Sequence, residues 1–376
     1  MESQRDLFDI PDGVTYLNCS YLSPLMKPVV AAGHVAVTSK AHPWEITPPD
    51  FFTGSEIARE RFGALVGGDA DGVAITPSVS YGIALAAKNL PIERGQTIVV
   101  LEEQFPSNVY EWRAAAERSG ARVVTVPRPE DHDWTAALLE RVDDSTAVVA
   151  VPNCHWTDGT LVDLVAVGEA AHSSGAALVV DAIQSLGARP FDVGAVQPDW
   201  LVTAVYKWML GPFALGFCWV APQWRDGDPL ELNWISRAGA EDFTGLVEYT
   251  DGFAPGARRY DMGERSNFVN LPMAVTAIEH LLEWGVDEIE GYITTLTDEI
   301  AAGADSLGWD VAPRERRARH MLGLRRPGGI PEKLPGLLKD AGVYVSMRGS
   351  SIRVSPHVYN TPEDAARLLE VLEGVS

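Results

Sequence analysis

The sequence predicts an α/β fold in which a mostly parallel sheet carries helices on both faces and a smaller α+β domain follows toward the C-terminus. Short runs rich in β-branched residues recur along the first 220 residues, and helix-period segments lie between most of them. Runs that are apolar on both faces are typical of strands buried inside a sheet. The chain has 376 residues, more than one small core usually supports, so we expect one large and one smaller domain.

The central sheet is predicted from runs such as TIVVL and ALVVD. The six expected strands are 97–101, 122–126, 147–151, 177–181, 200–205 and 216–220. Helical spacing of apolar residues predicts helices at 107–119, 134–142 and 161–172. This alternation of strand and helix favours crossover connections and hence a parallel sheet.

The pattern changes from about residue 263, where longer amphipathic segments are followed by shorter strand candidates. We expect helices at 271–283 and 287–307 and strands at 321–324, 343–347 and 351–355. The segment TPEDAARLLEVLE predicts a last helix, with Thr361 as N-cap and Pro362 at the first helical position. We therefore divide the chain into an N-terminal arm on the small domain (1–15), a large domain (16–260) and a small domain (261–376).

Composition excludes several classes of function. The chain has 30 Lys and Arg against 52 Asp and Glu, a net charge of −22 that argues against nucleic-acid binding. The longest apolar stretch, 201–220, is interrupted by Lys207, Gly211 and Pro212, and the N-terminus is charged, so we expect neither a membrane span nor secretion. Three cysteines without CxxC spacing predict no disulfide framework and no metal site, which makes the cytoplasm the default location.

One of the six lysines stands apart from the others. Lys207 is the lone charge of that apolar stretch, and burial disfavours an ammonium ion and lowers its pKa. A partly neutral amine can attack an aldehyde, and the Schiff base with pyridoxal 5'-phosphate (PLP) is a common use of that chemistry. The alternative is a lysine that snorkels at a strand end. The signatures GxGxxG, GxSxG, HExxH and the P-loop are absent from the sequence.

A PLP site would also need a carboxylate near the ring nitrogen and a site for the phosphate. Asp181 ends a predicted strand 26 residues before Lys207, where it could keep a pyridinium nitrogen protonated or, alternatively, cap a helix. The segment 76–90 runs into a helix through Ser78 and Ser80, and amides at a helix N-terminus bind phosphate, although serine caps are common. Phe105 could stack on the ring or could be an ordinary core aromatic.

These residues, in this order, resemble the class V group of fold-type I PLP-dependent enzymes. That group includes cysteine desulfurases, selenocysteine lyases, kynureninases and isopenicillin N epimerases. The most specific motifs are VVDAIQSLG, AVYKWMLGPFALGF and RVSPHVYNT. The resemblance implies a seven-stranded sheet, PLP as cofactor, an amino-acid substrate and a homodimer.

The same resemblance implies a role for each matching residue. Lys207 would form the internal aldimine, Asp181 would pair with the pyridine nitrogen and Gln184 would hydrogen-bond the O3′ side of the ring. Phe105 would stack on the ring, and Arg353 would bind the substrate α-carboxylate, with a surface salt bridge as the alternative for that arginine. Phosphate ligands would be Ser78, Val79, Ser80 and Tyr206.

Three departures from the group bear on function. The segment 342–352 lacks the mobile-loop cysteine of desulfurases, so persulfide chemistry of their type is not expected. Glu264 stands where desulfurases have a threonine that reaches the partner's phosphate, so Arg265 or Ser266 is assigned that role. Trp156 replaces the asparagine that faces O3′.

Two further side chains, His155 and Trp44, are assigned to the substrate. His155, beside Trp156, is either a general acid/base at the substrate or a histidine satisfied in the core. An aromatic set favours a large substrate side chain; its members are Trp44, Phe51, Phe52 and Trp156.

The favoured function is carbon–sulfur β-elimination on an S-substituted cysteine through an external aldimine. The alternatives are transamination and epimerisation within the group, a non-catalytic ligand-binding relative, and a nucleotide-binding α/β protein, which lacks any phosphate fingerprint.

Overall fold

The structure is a computed structural model that describes residues 1–375, and its strands form three sheets. In chain order the strands are β1 (Thr15–Tyr16), β2 (Val73–Thr76), β3 (Thr97–Leu101), β4 (Arg122–Val126), β5 (Thr146–Pro152), β6 (Ala177–Asp181), β7 (Trp200–Ala204), β8 (Gly216–Val220), β9 (Asp310–Val311), β10 (Leu322–Arg325), β11 (Val343–Tyr344), β12 (Ser346–Arg348) and β13 (Ser351–Val354). The helices are α1 (Lys27–Lys40), α2 (Asp50–Val66), α3 (Val79–Asn89), α4 (Tyr110–Ser119), α5 (Trp134–Leu139), α6 (Leu164–Ser173), α7 (Val193–Val196), α8 (Asn270–Trp284), α9 (Val286–Ser306), α10 (Leu334–Asp340) and α11 (Pro362–Glu373).

The central sheet has seven strands in the order β2-β8-β7-β6-β5-β3-β4. Strands β4, β3, β5, β6 and β7 run parallel, and β8 runs antiparallel to both β7 and β2. Strand β8 runs antiparallel to β7 because the segment 205–215 that connects them is too short to hold a crossover helix. The predicted mostly parallel sheet is confirmed.

Helices bury both faces of this sheet. Along β3, Ile98 and Val100 belong to one apolar core, with residues of α3 and α4, whereas Val99 and Leu101 belong to the other, with residues of α2, α6 and α8. Successive side chains of a strand point to opposite faces, so a continuous apolar run can serve two cores.

Most predicted helices begin or end a few residues from the expected positions. The helix expected at 107–119 starts as a 3-10 turn, Pro106–Asn108, and α4 begins only after Val109 leaves helical geometry. The helix expected from 161 begins at Leu164 because Asp163 caps it, accepting hydrogen bonds from Val165 N and Ala166 N.

A second, antiparallel sheet has the order β12-β13-β10-β9 and packs against α9 and α11. The prediction of one strand at 343–347 is wrong, since β11 pairs with β1 whereas β12 pairs with β13. The chain changes sheets at Val345, which a local pattern cannot reveal. At the start of α11, Thr361 is the N-cap, and its side chain and that of Asp364 form a reciprocal capping box.

The N-terminal arm contacts the C-terminal part of the chain. Gln4 N donates to Val358 O at 2.7 Å, and Arg5 forms an ion pair with Asp364 at 3.1 Å. One core of the central sheet continues through α8 to Ile293. The separate core under the antiparallel sheet includes Ile300. The domain division at 15/16 and 260/261 stays a prediction. No helix within residues 1–375 is both long enough and apolar enough to cross a membrane.

Candidate functional site

Lys207 lies in the turn that follows β7, at the carboxyl end of the parallel strands. It is only 6% exposed, and burial together with repulsion from Arg353 lowers its pKa. Its Nζ lies 5.7 Å from the ring centroid of Phe105 and 5.6 Å from that of Tyr206. The amine therefore sits among aromatic rings in a setting that favours the neutral form.

Asp181 is the last residue of β6, and its register partner on β7 is Val202, so it lies on the strand next to the one that leads to Lys207. The carboxyl group is buried and accepts a hydrogen bond from Ile183 N at 3.1 Å. Burial raises the pKa of Asp181, and the nearby Lys207 opposes that shift. A buried carboxylate in this position is stabilised by a cationic or protonated partner.

Lys207 faces a cavity of about 460 Å³. Its lining residues are Ser20, Tyr21, Leu22, Phe105, Trp156, Gln184, Tyr206, Lys207, Phe213, Arg348 and Arg353. A separate, much smaller cavity is also lined by Phe105, Trp156, Gln184 and Lys207, and it includes Asp181 and Ile183 in its lining. A larger cavity of about 660 Å³ is lined by residues of α5, α6 and α7 and contains none of the candidate side chains.

The three sequence motifs meet at Trp208. Its Nε1 donates to Gln184 Oε1 at 3.1 Å, and its carbonyl accepts from His357 Nε2 at 3.1 Å. Gly187 lies against the same carbonyl with φ +100°, where a Cβ would come within 2.5 Å of the oxygen. These contacts fix the lysine turn against the turn after β6 and the segment after β13.

Aromatic side chains form the walls of the cavity. Phe105 and Trp156 make an edge-to-face pair with centroids 5.4 Å apart, and Trp156 Nε1 donates to Glu103 O at 2.7 Å. Gln184 Nε2 donates to Ser20 O at 3.3 Å, which orients its amide at the cavity wall. Tyr206 is half-buried, and burial raises the pKa of its phenol.

Arg353 projects from β13 and is 1% exposed. Its Nη1 donates to Trp156 O at 2.7 Å, whereas its Nε is buried without a hydrogen-bond partner. Burial and repulsion from Arg348 lower its pKa to about 9. A buried guanidinium with an unsatisfied donor is suited to bind an anion that enters the cavity.

Three of the four predicted phosphate residues lie at the start of α3. Ser78 is the N-cap and accepts from Tyr81 N at 3.3 Å, Val79 is buried, and Ser80 is exposed. Ser80 Oγ lies 3.0 Å from Ser107 Oγ, which connects α3 to the loop that carries Phe105. These residues do not line the cavity around Lys207; they flank it through that loop.

Four more assigned residues lie outside this cavity. Trp44 is 76% exposed on the 3-10 turn Pro43–Glu45. Arg265 is buried against Asp261 at 2.9 Å, and Ser266 donates to Phe51 O at 2.7 Å. His155 lies in the core, because it stacks on Trp134 with centroids 5.3 Å apart.

The histidine is also chemically satisfied. His155 Nε2 donates to Glu102 O at 3.0 Å, which leaves Nδ1 as the acceptor for the Thr157 hydroxyl at 2.7 Å. Burial lowers its pKa to about 4. This geometry favours the core alternative over a general acid/base that contacts substrate.

Sequence reasoning missed Asp158, which holds the loop that carries His155 and Trp156. Its Oδ2 accepts from Arg128 at 2.7 Å and from Arg325 at 2.6 Å, and its Oδ1 accepts from the Thr160 hydroxyl at 2.7 Å. The Asp-Gly turn in NCHWTDGT is the one local signal for it. Arg348, which also lines the cavity, was missed as well.

We expect Asp158→Asn to lower the free energy of unfolding by about 2–4 kcal/mol at pH 7, because it removes the buried negative charge that pairs with two partly buried arginines. Ion pairing and hydrogen bonds lower the pKa of Asp158, so its stabilising effect is present above its unfolded pKa of about 4 and is lost as the pH falls through the lowered value. Urea unfolding at pH 7 and pH 3.5 measures this effect. The exposed Asp144→Asn is the control. If Asp158→Asn lowered the free energy of unfolding by the same amount at both pH values, the stabilising ion pairs assigned to Asp158 would be contradicted.

The cavity suits PLP on the chemistry of its own residues. Asp181 is a buried carboxylate in the small adjacent cavity that Lys207 also lines and is suited to a protonated ring nitrogen, and Lys207 is a desolvated amine suited to the aldehyde. The edge-to-face aromatic pair gives the planar ring apolar contacts. Across the described chain no three His, Cys, Asp or Glu side chains converge to hold a metal ion.

Comparison with known proteins defines the family. The family model described as Aminotransferase class-V matches residues 49–368, so the chain belongs to this family. The class V resemblance inferred from the motifs is thereby confirmed.

Individual relatives agree with this assignment. The uncharacterized aminotransferase YcbU of Bacillus subtilis is 27% identical, over 98% of this chain and 96% of that protein. A probable cysteine desulfurase of Methanothermobacter thermautotrophicus is 26% identical, over 85% of this chain and 83% of that protein. The solved cystine C-S lyase C-DES, at 17% identity, superimposes with a TM-score of 0.87 over 96% of this chain and 98% of its own. The protein is therefore a PLP-dependent enzyme with the fold-type I architecture.

Proposed function

We propose that this enzyme is a carbon–sulfur β-lyase that acts on an S-substituted cysteine. The observation that carries the proposal is the placement of its thiols: all three cysteines are free and buried, and within residues 1–375 none lines the cavity that Lys207 faces. Burial raises the pKa of Cys154 and Cys218 to about 12 and raises that of Cys19 as well. A desulfurase-type mechanism needs a protein thiolate at the substrate sulfur, whereas β-elimination needs none.

The side chains divide the remaining work. Arg353 binds the α-carboxylate and orients the Cα–H bond, and Phe105 and Trp156 hold the reacting atoms in an apolar wall. Lys207 Nζ takes the proton from Cα, a role favoured by its lowered pKa. Asp181 holds the proton of the ring nitrogen. PLP, when bound, supplies the electron sink for the pair left on Cα.

The bond changes balance without a protein nucleophile. The Cα–H bond breaks with its proton passing to Lys207 Nζ, and the electron pair forms a Cα–Cβ double bond as the Cβ–S bond breaks. The sulfur leaves as a thiolate, and the released aminoacrylate hydrolyses to pyruvate and ammonium. The solved cystine C-S lyase, with the same architecture, supports this choice of reaction.

We expect pyruvate and thiol to form in equal amounts from an S-substituted cysteine, without an added keto acid. Lactate dehydrogenase coupling measures the pyruvate, and a thiol reagent measures the leaving group. Lys207→Ala serves as the blank. A requirement for a keto acid, with a second amino acid as product, would rule out the lyase assignment.

Transamination is the second candidate, because the relative YcbU is named an aminotransferase and aligns with nearly the whole chain. It would use the same Lys207, Asp181 and Arg353, with Lys207 Nζ again taking the proton from Cα but no Cβ–S bond breaking, and PLP would supply the group that accepts the amino nitrogen. The assay for pyruvate and thiol separates the two reactions.

We also propose that the enzyme is a homodimer and that it works in the cytoplasm, where its unpaired thiols suit a reducing environment. The segment 230–251 exposes apolar side chains, among them Leu232, Val247 and Tyr249, the last 98% exposed. Neighbouring residues of this segment pack on Phe51 and Phe52 of α2. Apolar surface of this kind marks an interface.

Light scattering of the PLP-loaded protein is expected to give the mass of two chains. Val247→Asp with Tyr249→Asp is expected to shift the mass toward one chain, whereas Val35→Asp, at another exposed valine on α1, is the control. An active, PLP-loaded monomer of the unmodified protein would exclude the dimer.

A further inference from the structure

Two arginines, rather than one, face the cavity. Arg348 ends β12 and Arg353 lies on the adjacent antiparallel strand β13. Both line the cavity that contains Lys207, and their guanidinium carbons lie 5.8 Å and 6.0 Å from the ring centroid of Trp156. The two positive charges therefore gather around the same indole ring.

Backbone carbonyls accept the hydrogen bonds that these two arginines donate. Arg348 Nη1 donates to Met347 O at 2.8 Å, and Arg353 Nη1 donates to Trp156 O at 2.7 Å. In the part of the chain that the structure describes, neither arginine forms an ion pair with a carboxylate. By contrast, Arg325 on neighbouring β10 reaches Asp158 at 2.6 Å, so pairing is available on this sheet and the two cavity arginines lack it.

The positive charges of Arg348, Arg353 and Lys207 repel one another. Arg348 contributes to lowering the pKa of Arg353, and both arginines contribute to lowering that of Lys207. Gathering three cationic groups in a partly buried cavity is unfavourable unless anions enter it. In the PLP-loaded enzyme Asp181 and Lys207 would both be engaged by the cofactor, which leaves the guanidinium groups of Arg348 and Arg353, and the α-carboxylate of an amino acid offsets one of them. One positive charge then remains for another anion.

We propose that Arg348 binds a second carboxylate, at the far end of the substrate side chain, while Arg353 binds the α-carboxylate. Arg353 is the more deeply buried of the two, and the half-buried Arg348 is the one with room for a longer group. The inference rests on the proposed function for the role of Arg353 and makes the substrate class more specific. It is an S-substituted cysteine whose substituent ends in a carboxylate.

The test compares two nearly isosteric probes on the PLP-loaded enzyme. Glutarate carries two carboxylates, and glutaramate carries one carboxylate and one neutral amide. Isothermal titration calorimetry is expected to show glutarate binding at least about tenfold more tightly, because the amide loses the charge-assisted contact with a guanidinium. Equal affinities for the two probes would overturn the proposal, and this comparison requires no variant.

Variants locate the effect. Arg348→Met is expected to remove the preference for glutarate while glutaramate binds as in the unmodified enzyme, and the exposed Arg113→Met on α4 is expected to keep the preference. A preference that survives Arg348→Met would overturn the assignment to Arg348.

Arg353→Met separates this inference from the function on which it rests. It is expected to weaken both probes about tenfold or more, since each probe has a carboxylate that occupies the place of the substrate α-carboxylate and loses its contact with Arg353. If both probes bind Arg353→Met normally while Arg348→Met still removes the preference, the second-anion site stands and the proposed α-carboxylate site fails.

Discussion

Lys207→Ala is expected to abolish the visible absorbance of the lysine-bound cofactor and to lower turnover by at least about 10³-fold, because one side chain supplies both the amine for the aldehyde and the carrier of the Cα proton. The chain is expected to stay folded. Lys207 is buried and belongs to no ion pair within residues 1–375, so the substitution removes a desolvated amine and breaks no salt bridge. Absorbance spectra, near-ultraviolet circular dichroism and steady-state kinetics provide the three measurements.

The control for this variant is Lys339→Ala, an exposed lysine in the last turn of α10. It is expected to keep the spectrum and the activity of the unmodified protein. A Lys207→Ala enzyme that remained yellow and active would show that another amine binds the cofactor.

Asp181→Asn is expected to retain PLP and to lose about 10²- to 10³-fold in turnover, the range found when one charge-stabilising contact is removed from an active site. The amide oxygen can still accept the hydrogen bond from Ile183 N, so the local backbone is preserved. The amide carries no charge, however, and cannot hold the proton on the ring nitrogen. The amount of PLP that alkali releases per chain measures cofactor retention, and kcat over a pH series measures the loss of turnover.

The free energy of unfolding of Asp181→Asn distinguishes a role of Asp181 at the cofactor from a purely structural role. Burial raises the pKa of Asp181, so its ionisation opposes folding as the pH rises, and the neutral amide removes that penalty. The cofactor-free Asp181→Asn chain is therefore expected to be at least as stable as the unmodified chain at neutral pH. The exposed Asp226→Asn should change neither stability nor rate. A large loss of stability with a normal rate would assign Asp181 a purely structural role.

Local sequence patterns predicted much of the fold correctly because strands buried on both faces are continuous apolar runs. Four of the six expected strands of the central sheet have the observed bounds, and the other two differ by one residue at one or both ends. Patterns failed where pairing over long distances decides the outcome. Residues 343–348 serve two sheets, and β1 pairs with a strand more than three hundred positions later.

The candidate site shows the same division. The sequence by itself determined the lone buried lysine and the carboxylate at a strand end, because a charge inside an apolar run is visible without coordinates. The resemblance of its motifs to class V enzymes implied the cofactor. Only the tertiary structure placed His155 in the core and left Arg265 and Ser266 outside the cavity. It also brought Arg348 and Arg353 to one indole ring, where neither pairs with a carboxylate of residues 1–375. The partners of a charge come from distant strands, so whether an arginine is paired is decided by the packing of sheets and not by the sequence beside it.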